Sequence, residues 1–350
     1  MKIAIDISPL ESGHKVRGVG FYLEHLKKAL LTYDSENNYV FFSGREKIDP
    51  SVDLVHYPYF DPFFLTLPFS QRHKTVVTVH DLTPLVFPRH FPAGIRGSIN
   101  WNIQKHLLKK SLGVIADSQA SKDDVVNIAG ITTEKVDVVY LAAGEEFKKF
   151  QISNFKFQIA KKYNLPEKFV LYVGDATWNK NLPRLIMAIQ EINLTLVMVG
   201  KALGEKDFDA SHPWNKGLAE VNRLAAGDKR IIRLGFVPTE DVVSLYNAAT
   251  VFVMPSLYEG FGLPVLEAMQ CGCPVVTTKG GSLAEVAGDA AFFVNEHEVE
   301  SIANGIGEVF FTSKLQADLS KKGLQQARKF SWKKTAEKTV EAYEKVLSRK

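Results

Sequence analysis

The sequence predicts an α/β protein built of two Rossmann-like domains, each with a doubly wound parallel sheet. Three observations support this prediction. A chain of 350 residues is longer than one hydrophobic core usually supports. Short β-branched segments alternate with helical segments along the chain, which is typical of parallel sheets. A polar stretch rich in lysine and phenylalanine, residues 145–168, interrupts the alternation, which then restarts.

The predicted strands divide equally between the two halves of the chain. In the first half they are Lys2–Ile7, Tyr39–Phe42, Asp53–Tyr57, Val76–Val79, Val114–Asp117 and Val136–Tyr140. In the second half they are Phe169–Val173, Leu194–Val199, Ile231–Leu234, Val251–Met254, Val275–Thr277 and Ala291–Val294. This pattern predicts domains at 1–150 and 169–330, joined by a linker at 151–168. Residues 331–350 form an amphipathic helix that needs a partner surface.

The composition excludes several classes of protein. With 45% hydrophobic and 23% charged residues, the chain is ordinary globular material. Its net charge of +4, without a long basic tract, argues against binding to nucleic acid. Cys271 and Cys273 flank one glycine in apolar surroundings and are expected to be buried thiols. The opening MKIAIDISPL lacks the pattern of a signal peptide, so we expect a cytoplasmic protein.

A helix predicted at about 95–110 is amphipathic and basic. Ile99, Ile103, Leu107 and Leu108 are expected on its apolar face, with basic residues around it. The favoured interpretation is a helix packed on the core of its domain. The alternative is a helix lying on the inner face of an anionic membrane, where a lipid-linked acceptor would be found. The aromatic-rich loop before it, 59–69, either lines a sugar or lipid site or packs under the domain.

The most informative stretch runs from Val251 to Thr278 and predicts strand, loop, helix and strand. Pro264 marks the start of the helix, since proline is tolerated in a first helical turn. Glu259 then lies in the loop and Glu267 in the first turn. Small residues between them let backbone amides approach an anion at the positive end of the helix. Singly, each glutamate is an ordinary surface acid; together they predict a pocket for a ligand with phosphate and hydroxyl groups.

Two further segments are candidates for ligand contact in the first half. Gly18 and Gly20 lie in the loop between the first strand and a helix predicted from about Phe21, a position where α/β folds bind ligands. The alternative is a flexible surface turn. The dinucleotide fingerprint G-x-G-x-x-G is absent there. His80 follows a strand at its carboxyl end, where it either contacts a ligand or has a structural role.

The segment EGFGLPVLEA, with its two glutamates eight positions apart, precedes CGCPVV and Gly280-Gly281. This combination resembles the signature of retaining glycosyltransferases of family GT4, which have the GT-B fold. The resemblance implies two Rossmann-like domains facing a cleft, with the last helix crossing back to the first domain. It also implies that Glu259 contacts the transferred sugar and that Glu267 holds ribose hydroxyls.

The same resemblance assigns roles to the remaining candidates. His80 would face the donor sugar, and the loop containing Val237 would lie against the base. Further donor contacts would come from Gly18 and Gly20 and from the amides of Gly260, Phe261, Gly262 and Leu263. We expect no covalent nucleophile; same-face attack assisted by the leaving phosphate is the mechanism the family implies.

Lys180 lies in the segment WNKNL at the start of a helix and matches the family's phosphate-binding lysine. A cation there opposes the helix dipole unless an anion is near, which favours a functional role. The family pattern also contains an arginine, but Asp175 and Asn179 occupy its two usual positions. Lys201 and Arg233 are the candidate substitutes. We expect Lys180 and Glu259 to be exposed in the cleft.

These observations predict a metal-independent hexosyltransferase without cofactor, since no D-x-D pair occurs in a suitable loop. The segments RGVGFYLEHLKKAL and HDLTPLVFPRHFP resemble mannosyl- and hexosyltransferases that build bacterial surface polysaccharides. GDP-mannose is therefore favoured over a UDP-glucose type of donor, with a glycan or polyprenyl-linked acceptor. The alternatives are a catalytically weakened nucleotide-sugar binding protein, motivated by the missing arginine, and a nucleotide-sugar epimerase on the same fold. An NAD-dependent oxidoreductase is disfavoured by the absent fingerprint.

Overall fold

The computed structural model describes residues 1–13, 18–44, 46–150, 154–205 and 207–349. The chain divides into two compact units. The first unit consists of Met1–Ala142 together with Phe330–Lys350, and the second of Ala143–Lys329. Each unit contains a six-stranded parallel sheet with helices, as the sequence predicts.

The first unit has the strand order β2-β1-β3-β4-β5-β6. Its strands are β1 (Lys2–Asp6), β2 (Asn38–Phe42), β3 (Leu54–Tyr57), β4 (Lys74–Val79), β5 (Gly113–Ala116) and β6 (Val136–Val138). Its helices are α1 (Gly18–Tyr33), α2 (Thr83–Val86), α3 (Gly94–Lys110), α4 (Gln119–Asp124) and, from the end of the chain, α13 (Trp332–Ser348). A π-helical turn, Val125–Ala129, extends α4.

The second unit has the strand order β12-β11-β10-β7-β8-β9. Its strands are β7 (Val170–Val173), β8 (Leu196–Val199), β9 (Ile231–Gly235), β10 (Val251–Met254), β11 (Val275–Thr277) and β12 (Phe292–Phe293). Its helices are α5 (Asn154–Tyr163), α6 (Leu182–Ile192), α7 (Lys216–Ala225), α8 (Thr239–Ala248), α9 (Leu263–Gln270), α10 (Leu283–Ala287), α11 (Val299–Phe311) and α12 (Ser313–Ala327).

The strand order reverses at one place in the second unit. From β7 the chain winds outward through β8 to β9, then returns to the other side of β7 and winds outward through β10, β11 and β12. The loops that follow β7 and β10 therefore leave the same sheet edge side by side and diverge. Such a switch point is where open α/β sheets place ligands.

The strand segments are uninterrupted runs of apolar residues because the strands are buried. Helices cover both faces of a parallel sheet, so its central strands are apolar on both sides. All four residues of β10 and all four of β8 are buried. The predicted strand bounds differ from the structure by at most two residues, since local composition decides where a buried strand begins and ends.

Helix α1 begins three residues earlier than predicted. Gly18 and Gly20 lie in its first turn and not in the preceding loop. Gly20 is buried and Gly18 is exposed. Arg17, which the sequence analysis included in the RGVG segment, lies outside the described residues.

Helix α13 packs on the first unit and is fixed there by buried contacts. The Tyr343 hydroxyl lies 2.8 Å from Nδ1 of His56 on β3, whose Nε2 lies 2.8 Å from Thr78 Oγ1 on β4. Burial lowers the pKa of His56 to about 3, so the imidazole is neutral. Gly113 on β5 leaves room for Val346, since a Cβ there would lie 2.5 Å from a Val346 methyl carbon.

The stretch predicted as a linker contains helix α5, which belongs to the second unit. The Lys162 ammonium and the Tyr163 hydroxyl of α5 donate to the Asp241 carboxylate of α8 at 2.5 and 2.7 Å. Among the residues that the structure describes, no helix is both long enough and apolar enough to cross a membrane.

Candidate functional site

Lys180 and Glu259 form an ion pair at the switch point of the second unit. Lys180 closes a 3₁₀ turn, Trp178–Lys180, between β7 and α6, and Glu259 lies in the loop between β10 and α9. The Lys180 ammonium donates to both carboxylate oxygens of Glu259, at 2.8 and 2.7 Å. Residues that are 79 positions apart in sequence therefore meet because the sheet reverses its order between β7 and β10.

The pair is more buried than the sequence analysis expects. The side chains of Lys180 and Glu259 are only 17% and 10% exposed. The expectation that both are exposed is wrong, since each covers the other. A cation at the start of a helix is unfavourable unless an anion lies near it. Here the Glu259 carboxylate is that anion. Each carboxylate oxygen has a second lone pair that can accept a hydroxyl.

Two asparagines on either side of Lys180 hold the loops together. The Asn179 side-chain amide donates to the Tyr258 carbonyl oxygen at 2.9 Å, and the Leu257 amide donates to the Asn179 carbonyl oxygen at 2.7 Å. The Asn181 amide donates to the Pro255 carbonyl oxygen at 3.0 Å. Asn181 also adopts the left-handed conformation that ends the turn before α6. The β7–α6 and β10–α9 loops are thus held in one arrangement.

This arrangement gives a physical reason for the departure from the family pattern at Asn179. Asn179 is buried; its side-chain oxygen accepts from the Thr177 hydroxyl in the same loop, and its amide donates to Tyr258 in the other loop. An arginine in place of Asn179 would put a longer, charged side chain in a buried position. Asp175, at the other usual arginine position, is exposed, and its carboxylate accepts from the Ala176 amide at 2.8 Å.

The segment after β11 supports Glu259 from the opposite side. A Cβ at Gly280 would lie 2.3 Å from the Leu257 carbonyl oxygen, and a Cβ at Gly281 would lie 2.3 Å from that of Glu259. Gly281 also has a φ of +62°, which favours glycine. The amide and hydroxyl of Ser282 both donate to the Glu259 carbonyl oxygen at 3.1 Å. The backbone of Glu259 is therefore fixed from both neighbouring loops.

Helix α9 begins at Leu263, one residue before the predicted start. Gly262 caps it in the left-handed conformation, with a φ of +92°. A Cβ at Gly262 would lie 2.8 Å from a methyl carbon of Leu283, so glycine is also required by close packing. Gly260 and Phe261 are buried beside it. The tip of α9 is thus tightly packed against α10.

Glu267 lies in the second turn of α9, and its predicted place in the first turn is wrong. The Tyr246 hydroxyl of α8 donates to the Glu267 carboxylate at 2.9 Å. Burial raises the pKa of Glu267 to about 7, the Tyr246 hydrogen bond lowers it, and the charge of Glu146 raises it further. At neutral pH this carboxyl group is poised between its two protonation states.

The structure separates the two candidate substitutes for the arginine. Lys201 follows β8 at the carboxyl edge of the sheet and is exposed. Among the described residues, no hydrogen bond or ion pair is made by its side chain. Arg233 lies within β9, and its guanidinium donates to Asn222 of α7. Val237, in the loop after β9, is buried, whereas its neighbour Phe236 is exposed.

His80 belongs to the first unit and is held at both ring nitrogens. Nδ1 lies 2.6 Å from Asp117 Oδ2, and Nε2 lies 3.1 Å from the Pro58 carbonyl oxygen. A carbonyl only accepts, so Nε2 carries hydrogen. Burial lowers the pKa of His80, but the adjacent Asp117 carboxylate outweighs burial and raises it overall. Burial raises the pKa of Asp117 as well, so this hydrogen bond joins two buried titratable groups. Its predicted contact with the donor sugar stays a prediction, as do those of Gly18 and Gly20.

Sequence reasoning missed several residues that shape the site. Tyr246, Ser282 and Asp117 had no local signal, because each acts on a residue far away in sequence. Asn179 and Asn181 carried a weak signal, since asparagine beside a helix start is typical of turns and left-handed backbone. That signal indicates a turn but not the loop that the turn binds.

Comparison with known proteins agrees with this description. The family model of group 1 glycosyl transferases matches residues 154–326, and that of glycosyltransferase family 4 matches residues 16–143. The O-antigen chain mannosyltransferase B of Escherichia coli is 29% identical over 83% of this chain and 75% of its own length. The serotype-specific mannosyltransferase WbdA of Escherichia coli is 30% identical over 78% of this chain, which covers 34% of WbdA.

Solved structures show the same fold. Sucrose-phosphate synthase from Thermosynechococcus elongatus superposes with a TM-score of 0.77 at 18% identity, over 100% of both chains. Anabaena HepE in complex with UDP-glucose superposes with a TM-score of 0.73 at 21% identity, over 98% of this chain and 99% of its own. These similarities show that the chain, with its two parallel six-stranded units, has the GT-B fold. The chain belongs to glycosyltransferase family 4, the group 1 glycosyltransferases.

We expect single substitutions of the ion pair to cost both activity and stability. Lys180→Met or Glu259→Gln should remove most glycosyl transfer. Each single change also leaves one charge without its partner in a mostly buried place. Removing one partner of a fully buried pair costs about 3–5 kcal/mol, so we expect about 1–3 kcal/mol for this partly exposed pair. Chemical denaturation and initial rates measure the two effects.

The double variant Lys180→Met/Glu259→Gln is the matched control. It removes both charges, so we expect it to recover most of the lost stability while transfer stays absent. Single and double variants of equal stability, or a single variant with the wild-type rate, would contradict an ion pair at the centre of the site.

Glu267→Gln should stabilise the protein in a pH-dependent manner. The folded protein keeps the Glu267 proton up to about pH 7, whereas an unfolded glutamate releases it from about 4.5. The unfolded state therefore binds fewer protons in this range, so wild-type stability falls as pH rises through it. Glutamine does not titrate, so the free energy of unfolding of the variant should exceed that of wild type by up to about 3 kcal/mol above pH 7, and by little at pH 5. A stability difference between variant and wild type that is constant from pH 5 to 8 would refute the raised pKa.

Proposed function

We propose that this protein is a retaining hexosyltransferase that moves mannose from GDP-mannose to a glycan or polyprenyl-linked acceptor. The ion pair of Lys180 and Glu259 at the switch point of the second unit is the observation that carries the proposal. It places a cation for phosphate and an acceptor for sugar hydroxyls at the sheet edge where such folds bind ligands. The preference for mannose rests on the two Escherichia coli mannosyltransferases, one of which is about three times as long as the part matched by this chain.

Each residue of the proposed donor site has a distinct task. Lys180 and the amides at the tip of α9 stabilise the charge that develops on the leaving diphosphate. Glu259 accepts hydrogen bonds from hydroxyls of the transferred sugar, and Glu267 accepts from the ribose. Ionised Glu267 is the better acceptor, so donor affinity is expected to improve as pH rises through 7. The loop containing Val237 lies against the base.

The proposed reaction requires no metal and no enzyme nucleophile. The bond between the anomeric carbon and the phosphate oxygen breaks as the acceptor hydroxyl oxygen attacks from the same face. The leaving phosphate oxygen takes the proton of that hydroxyl, so atoms and charge balance. The protein supplies positioning and a fixed electrostatic environment.

A nucleotide-sugar binding protein without transfer activity is the second candidate. Asn179 and Asp175 favour it, since neither can supply the second phosphate-binding cation of the family pattern. Binding of a nucleotide sugar without release of nucleoside diphosphate, across glycan and polyprenyl-linked acceptors, would establish this alternative.

The donor is tested first by thermal shift with GDP, UDP and ADP, and then with the corresponding nucleotide sugars. We expect GDP to give the largest increase in melting temperature and GDP-mannose to support turnover in the presence of EDTA. Proton NMR of the product should show the anomeric configuration of the donor. Inversion, dependence on a divalent ion or preference for UDP would each refute one part of the proposal.

Lys201 is expected to supply the second cation for the donor phosphates. Lys201→Ala should raise the KM for the donor roughly tenfold, the loss of about 1.4 kcal/mol. Arg233→Ala is the matched control, since Arg233 lies within β9 and hydrogen-bonds to α7. The KM of this variant for the donor should equal that of wild type. A raised KM for Arg233→Ala with an unchanged KM for Lys201→Ala would assign the cation to Arg233. It would also show that the hydrogen bond from Arg233 to Asn222 breaks on donor binding.

A further inference from the structure

Large apolar side chains are exposed on two adjacent elements of the first unit. One element is the loop 61–69, and the other is the outer face of helix α3. The exposed fractions are 66% for Phe64, 49% for Leu65, 67% for Phe69, 84% for Ile95 and 56% for Ile99. We call Phe64, Leu65, Ile95 and Ile99 the apolar edge.

The loop is held rigidly on α3, so its exposed side chains are not a result of loose packing. Gln104 of α3 is fully buried. Its amide donates to Thr66 Oγ1 at 2.6 Å and to the Asp61 carbonyl oxygen at 3.2 Å, and its carbonyl accepts from the Leu67 amide at 3.3 Å. The Asn100 amide donates to the Phe63 carbonyl oxygen at 2.8 Å.

Within this loop, inward and outward apolar residues are distinct. Phe63 and Leu67 are buried against the unit, whereas Phe64 and Leu65 between them are exposed. Asp61 Oδ1 accepts from the amides of Phe63 and Phe64 at 2.7 and 3.1 Å, which fixes the turn that directs Phe64 outward. The fold therefore presents these two side chains to solvent in a defined conformation.

Helix α3 buries most of the apolar face that the sequence predicts, with one exception. Leu107 and Leu108 pack in the core of the first unit, and Ile103 packs against it. Ile99, predicted on that same face, is exposed together with Ile95, one turn earlier. The helix thus buries one apolar face as favoured and exposes a second, shorter one at its beginning.

The segment of the chain that carries the apolar edge is basic. Residues 62–116 contain seven lysines and arginines and one acid, Asp81, giving a formal net charge of +6. Five of the seven are exposed, and they are Arg72, Arg89, Arg96, Lys109 and Lys110.

We propose that this surface docks on an anionic lipid bilayer. The apolar edge enters the boundary between headgroups and acyl chains, and Arg96, Lys109 and Lys110 lie against lipid phosphates. An anionic bilayer offers both a continuous sheet of negative charge and an apolar interior, which is the complement of this surface. The absence of any acid from residues 82–116 favours such a uniformly charged partner over a protein surface of mixed charge. The proposal goes beyond the proposed function and does not depend on it.

Sedimentation of the full chain with lipid vesicles tests the proposal. We expect binding to vesicles of phosphatidylglycerol and phosphatidylethanolamine, weaker binding at high salt, and little binding to phosphatidylcholine alone. Phe64→Ser/Leu65→Ser should lower the partition coefficient roughly tenfold or more, as should Lys109→Glu/Lys110→Glu. Melting temperatures should match the wild type, since all four side chains are exposed.

Matched controls lie in the second unit. Phe311 is 69% exposed at the end of α11, and Phe311→Ser should leave the partition coefficient unchanged. Lys314→Glu/Lys321→Glu, on α12, makes the same change of charge away from the apolar edge and should have little effect.

Three results would overturn the proposal: no binding of the wild type to anionic vesicles, equal binding to phosphatidylcholine, or equal losses in the controls. Self-association that Phe64→Ser/Leu65→Ser abolishes, without lipid binding, would instead assign the surface to a second copy of the chain. Turnover on a soluble acceptor is measured separately. Because the apolar edge is not part of the donor site, its loss should leave that turnover unchanged, so failure of docking and failure of transfer are distinguishable.

Discussion

The ion pair between Lys180 and Glu259 is the interaction on which the candidate site depends. It joins the loops that leave β7 and β10, the two strands between which the sheet reverses its order. The two loops diverge at the sheet edge, and the ion pair adds to the asparagine hydrogen bonds that hold them together. A cation and a carboxylate are thereby held in one mostly buried position, where electrostatic interactions are stronger than in water.

The surrounding residues make this position rigid. Asn179 and Asn181 bind the backbone of the β10–α9 loop, and Gly281 and Ser282 close on Glu259 from the β11 side. Glycine is needed where two backbone segments come into van der Waals contact. Asparagine is needed where a side-chain amide donates to a backbone carbonyl oxygen of the neighbouring loop. Rigidity of this kind is what positioning of a ligand by fixed dipoles requires. Glu267 shows the cost of building such a site. Burial raises its pKa, so folding disfavours the charged carboxylate that ligand binding would use.

The first unit is organised around buried polar contacts of a different kind. Helix α13, from the end of the chain, is joined to β3 and β4 through Tyr343, neutral His56 and Thr78. The pKa of His80, which directly follows β4, is raised because Asp117 lies beside it. The pKa values of these two histidines therefore shift in opposite directions, because one has a carboxyl neighbour and the other only hydroxyls.

The sequence by itself determined the number of strands, their approximate bounds, the division into two α/β units and the family, because these depend on local periodicity and on contiguous motifs. It also located Lys180, Glu259 and Glu267 as candidates. Only the tertiary structure decided that Lys180 and Glu259 pair and are mostly buried, that Asn179 joins two loops, that Tyr246 contacts Glu267, and that Ile99 faces outward. These facts depend on strand order and on the rotation of each helix about its axis, and both are set by contacts between residues far apart in the chain.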